Sequence, residues 1–84
     1  MKISLDKKYC RQYTRESNRL HDIVPVTYQT FEIGGKKYFQ LDGYNSRVDL
    51  QKTGMLQQSD YKMQFDKETA EKFIKLLKQE LDID

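Results

Sequence analysis

The sequence has no tryptophan and only one cysteine, one histidine and one proline among its 84 residues. Each scarcity closes off a class of function. Cys10 cannot form an internal disulfide, which fits a reducing compartment. His21 and Cys10 have no second soft ligand at zinc-site spacing, so neither a metal nor a cofactor is expected. A thiol nucleophile needs a base and a third group to orient that base, and beyond His21 the chain offers neither. Glu32, Asp42 and Asp49 fall near strand ends without the pairing that acid–base chemistry requires. Gly34-Gly35 and Gly43 match no phosphate-cradling pattern and read as turns. No stretch approaches the roughly 20 apolar residues of a membrane span, and Met1-Lys2-Ile3-Ser4-Leu5 is not followed by the apolar run of a signal peptide. The expectation is a cytoplasmic, non-enzymatic protein with no membrane partner.

What is present describes a small folded chain. Apolar residues make up 37% and charged residues 33%, which is neither a disordered nor a fibrous composition. A length of 84 residues implies a single domain, 1–84, with a small core. The net charge of +2 is unevenly placed. Residues 1–22 carry Lys2, Lys7, Lys8, Arg11, Arg15 and Arg19 against Asp6, Glu16 and Asp22. Residues 66–84 carry Lys67, Lys72, Lys75 and Lys78 against Asp66, Glu68, Glu71, Glu80, Asp82 and Asp84. The front is basic and the back acidic, a property that bears on partners rather than on fold.

Periodicity divides the chain into a basic N-terminal segment (1–24), an antiparallel sheet (26–65) and a C-terminal helix (67–81). Ala70, Phe73, Ile74, Leu77 and Leu81 gather on one helical face behind Asp66, a good N-cap. Val26–Ile33 is rich in β-branched and aromatic residues, Gly34-Gly35 suits a tight hairpin, and Lys37–Leu41 returns as the second strand. Arg47–Gln51 alternates as a third strand, and Tyr61, Met63 and Phe65 mark a fourth. The first 24 residues allow two readings. A helix over about 7–20 sets Leu5, Tyr9, Tyr13, Glu16 and Leu20 on one side and Arg11, Arg15 and Arg19 on another, and it is favoured. Strands on either side of a turn at Asp6-Lys7-Lys8 are the competing reading. The expected fold is α+β: a four-stranded antiparallel sheet, a C-terminal helix packed on one face and an N-terminal helix.

The candidate binding residues follow from this layout. Tyr9, Arg11, Tyr13, Arg15, Arg19 and Lys37 are the proposed contacts to a macromolecular partner, because the arginine fork binds oxyanions bidentately and Tyr and Arg are favoured interface anchors. An ordinary solvated face is the plain alternative. Tyr28, Tyr38 and Lys62 are a second candidate set, suited to stacking on single-stranded bases and contacting phosphate. A protein is favoured over a nucleic acid as the partner, since +2 is a weak charge for binding a polyanion. The same weak charge counts against a small ribonuclease toxin built on Arg, Lys and Tyr, the third reading. Leu76 and Ile83, off the main apolar stripe, are possible homodimer contacts.

Residues 26–84 run strand, Gly-Gly-Lys-Lys-Tyr, strand, loop, strand, then Asp-Lys-Glu-Thr-Ala and a helix. That order resembles the positive-cofactor-four type of single-stranded DNA-binding fold, which implies a curved four-stranded sheet backed by one helix and dimerisation. Leu41-Asp42 and Ser59-Asp60 depart from that family's basic positions after the second strand and before the last, which weighs against DNA binding. In overall style the chain also resembles small accessory proteins of bacteriophages and mobile elements. That likeness implies a protein that inhibits or regulates a host nucleic-acid enzyme by protein–protein contact, an anti-defence role.

Overall fold

The computed structural model describes residues 1–15, 17–44 and 58–84. Its elements run β1 (Val26–Ile33), β2 (Lys36–Gly43), β3 (Tyr61–Asp66) and α1 (Lys67–Glu80). Among the described residues the sheet is three-stranded and antiparallel in the order β1-β2-β3, which corrects the expected four strands. The strand expected over Arg47–Gln51 lies outside the described residues.

The β1–β2 hairpin is set by its turn. Gly34 and Gly35 both have positive φ, +61° and +78°, the backbone a two-residue turn needs if its twist is to match the strands. The turn fixes the register: Ile33 faces Lys36, Phe31 faces Tyr38 and Gln29 faces Gln40. β3 continues it, with Phe39 opposite Phe65, Gln40 opposite Gln64 and Leu41 opposite Met63. Side chains alternate between the two faces of a sheet, so the register sorts them. One face carries Tyr28, Phe39, Leu41, Met63 and Phe65, and the other carries Phe31, Tyr38, Gln29, Gln40 and Gln64.

α1 packs on the first face. Asp66 ends β3 and caps the helix, accepting a 2.7 Å hydrogen bond from the Thr69 backbone N–H. The aromatic rings step across this face, Tyr28 to Phe39 at 5.7 Å, Phe39 to Phe65 at 6.5 Å and Phe65 to Phe73 of the helix at 5.6 Å between centroids. Phe65 and Tyr44 are the buried apolar residues among those described, and Thr69 is a buried polar one. The remaining helical stripe stays open: Ile74, Leu77 and Leu81 are exposed, as are Leu76 and Ile83.

The N-terminal segment is not a helix, the second correction to the expected fold. Met1–Ile3 instead lies parallel to β3 along its outer edge, where Ile3 N–H donates to Gln64 C=O at 2.9 Å and Gln64 N–H to Met1 C=O at 2.8 Å. A turn follows, with the Tyr9 and Cys10 N–H groups donating to Asp6 C=O, and Lys72 of α1 pairs with Asp6 at 3.3 Å. The described residues between Cys10 and Pro25 have no regular secondary structure. An isolated helix of this length is marginal without a packed apolar face, and the stripe Leu5, Tyr9, Tyr13, Glu16, Leu20 has a carboxylate inside it. Asn18 favours the local alternative, its Oδ1 accepting from the Arg19 N–H at 2.9 Å.

Candidate binding surfaces

Three surfaces collect the charged and aromatic side chains. The first is the arm that leads into β1. Tyr9 and Tyr13 are 69% and 71% exposed, each with a cation over its ring: Lys8 Nζ at 5.4 Å from the Tyr9 centroid and the Arg15 guanidinium at 5.9 Å from that of Tyr13. Arg11, Arg15 and Arg19 are exposed on irregular backbone, so their four-residue spacing does not align them on a helical face. The arm also presents Leu20 and Ile23, 99% and 97% exposed, two apolar anchors that charge and aromaticity do not pick out. Their signal in the sequence is the unpaired apolar pattern Leu20-His21-Asp22-Ile23-Val24 ahead of Pro25.

Lys37 does not join the arm. It sits on β2 opposite Glu32, at the hairpin end, in an open cleft of about 490 Å³ shared with Lys2, Lys36, Tyr38 and Lys67. The positive charge there is partly neutralised. Asp66 lies 3.6 Å from Lys2 Nζ, and Glu32 and Glu68 line the same cleft. The hydrogen bond from the Thr69 N–H, helped by Lys2, holds the Asp66 carboxyl below its ordinary value of 3.8.

The sheet divides the second candidate set. Tyr28 lies on the helix-bearing face and is 73% exposed. Tyr38 and Lys62 lie on the opposite face, Tyr38 paired with Asp66 and Lys62 with Asp42, four residues apart along β3. The three are therefore not brought together. Tyr38 instead stacks on Phe31, with centroids 5.5 Å apart, beneath Lys2 Nζ at 5.8 Å.

That open face holds a feature that residue types alone do not reveal. Gln29, Gln40 and Gln64 stand side by side across the strands, and Lys2 bridges to Gln64 at the far edge. Gln64 Nε2 donates to Gln40 Oε1 at 2.9 Å, and Gln40 Nε2 to Asp42 Oδ1 at 2.8 Å. The signal for it is the two-glycine turn, since counting back from that turn pairs Gln29 with Gln40.

His21 is exposed and Cys10 is a half-buried free thiol. Among the described residues no group of three or more His, Cys, Asp or Glu side chains is placed to hold a metal ion. No described helix is long and apolar enough to cross a membrane. These surfaces offer guanidinium forks, tyrosine rings and apolar side chains, the chemistry of recognition. No protein-family model, curated protein or solved structure matches the chain.

Proposed function

We propose that the chain is a non-enzymatic binding protein whose arm, residues 9–24, docks on a protein partner. In its concrete form that partner is a host nucleic-acid enzyme, inhibited or regulated by the contact. One observation carries the reading: Tyr9, Tyr13, Leu20 and Ile23 are largely exposed and alternate with Arg11, Arg15 and Arg19. Exposed aromatic and apolar side chains interspersed with arginine suit an interface with an apolar centre and a charged rim. A nucleic-acid backbone offers nothing for Leu20 and Ile23 to bury against, which is why a protein is the favoured partner.

The test is the double reversal Arg11→Glu with Arg15→Glu. Capture of the partner should fall by at least about tenfold, since losing desolvated charge-assisted contacts costs more than about 1.4 kcal/mol. The circular dichroism spectrum should not change, because neither side chain supports a strand or α1. Undiminished capture by the folded double variant refutes the arm as the contact.

Single-stranded nucleic-acid binding is the second reading, and the observation favouring it is Tyr28, an exposed ring in line with Phe39 on the sheet. Salt separates the two. Binding to an oligonucleotide should collapse between low and moderate salt as counterions are released, whereas an interface with an apolar centre responds far less.

A further inference from the structure

The sheet has two outer edges, and the chain treats them differently. The outer edge of β3 is covered by Met1–Ile3. Along the outer edge of β1 no described residue pairs. Natural proteins blunt an open edge with lysine, proline, a bulge or short length. β1 has none of these: it spans Val26–Ile33, pairs with β2 without interruption, and carries Glu32 as its only charge. Tyr28 and Ile33 on this strand are 73% and 66% exposed, so both faces of the strand are open at these residues.

We infer that two copies of the chain join through β1, edge to edge and antiparallel about a two-fold axis at Gln29, making one continuous six-stranded sheet. The hairpin fixes which backbone groups are free. In a two-residue hairpin the closing pair, here Ile33 and Lys36, is hydrogen-bonded, so the N–H and C=O groups of Ile33, Phe31, Gln29 and Thr27 point at β2. Those of Val26, Tyr28, Thr30 and Glu32 point outward. An antiparallel self-pairing of these outward groups sets Tyr28 opposite Thr30 and Val26 opposite Glu32 of the second copy.

The side chains suit this register. Gln29 meets Gln29, which carries the row Gln64, Gln40, Gln29 across the axis without interruption. Phe31 meets Thr27 and Ile33 meets Pro25 of the other copy, giving exposed apolar surface a neighbour. No two like charges are opposed, since Glu32 faces Val26. The two-fold pairing of β1 with itself is isologous, and because Met1–Ile3 covers the other edge it closes at two copies. This inference is independent of what the arm binds.

The test is sedimentation of the 84-residue chain over a concentration series, with variants at the axis and on the edge. Wild type should pass from monomer to dimer below about 1 mM. Gln29→Lys and Gln29→Glu each set like charges face to face, so each should dimerise about fivefold or more weakly, and an equimolar mixture of the two should recover the dimer. Thr30→Pro removes an outward N–H while sparing the bonds to β2, and should weaken the dimer by about thirtyfold or more with melting little changed. Amides of Tyr28, Thr30 and Glu32 should gain exchange protection as concentration rises. A monomer throughout overturns the proposal, as does a dimer indifferent to Thr30→Pro. Concentration-independent protection of those three amides overturns it as well, because the edge is then taken by the chain's own residues.

Discussion

Asp66 does two jobs at one position. It closes β3 and opens α1, so a single side chain determines where the sheet hands over to the helix. Its carboxylate is held in the ionised form chiefly by the Thr69 N–H, and Lys2 at 3.6 Å adds to this. A carboxyl whose folded value is depressed stabilises the fold fully above its unfolded value of 3.8, and that contribution fades as pH falls through the folded value. Asp66→Ala should therefore lower stability at neutral pH by about 1 kcal/mol, read from the midpoint of urea unfolding. Asp66→Asn keeps an acceptor for the Thr69 N–H, so it should lose less at neutral pH and show a flatter stability profile below pH 3.8. If the two variants fall equally at neutral pH, the cap is not what Asp66 contributes. The capping role is legible in the sequence, because it is decided within four residues of chain. The separation of Tyr28 from Tyr38 and Lys62 is less so, because faces are assigned only once the pairing register is counted out.

At the scale of elements, the contrast between the two ends of the chain explains what the sequence makes legible. α1 has a cap, Glu68 in its first turn, Lys78 in its last, and an apolar stripe, so local and tertiary signals agree. The helix expected over 67–81 accordingly runs Lys67–Glu80. Val26–Ile33 likewise appears with the bounds its β-branched run and two-glycine turn imply. The expected helix over 7–20 rests on spacing with a mixed stripe, and spacing without a surface to pack on does not hold a helix. The edge pairing of Met1–Ile3 is invisible to periodicity, because three residues are too few to show a strand's alternation. Packing is then what holds α1 in place, and its ring contact is Phe73 on Phe65. Phe73→Ala should cost about 2–3 kcal/mol, less than for a fully buried phenylalanine because Phe73 is only half-buried. Thermal unfolding followed by helical circular dichroism should show the transition moving down. An unchanged midpoint would mean that the helix is held by contacts other than this stack.

At the scale of the whole molecule, the described residues bury little and leave much surface free for partners. The described residues place Phe65 and Tyr44 inside and leave the arm, the helical stripe and the β1 edge outside. Of these, the edge is the one whose geometry limits its own partner, and the limit comes from the other end of the sheet. Ile3 donates to Gln64 C=O at 2.9 Å, and that bond occupies the outer edge of β3. Ile3→Pro removes the donor and should strip this cover, giving each copy two open edges where it had one. Alternating β1–β1 and β3–β3 contacts then have no closure, and association should pass from a dimer to an open series that light scattering reads as mass growing with concentration. Adding Thr30→Pro to Ile3→Pro blocks β1 again and leaves one open edge, so the double variant should stop at small species while the single variant continues to grow. If Ile3→Pro gives the same mass as wild type at every concentration, Met1–Ile3 is not what protects β3, and the closure argued for the dimer loses its cause.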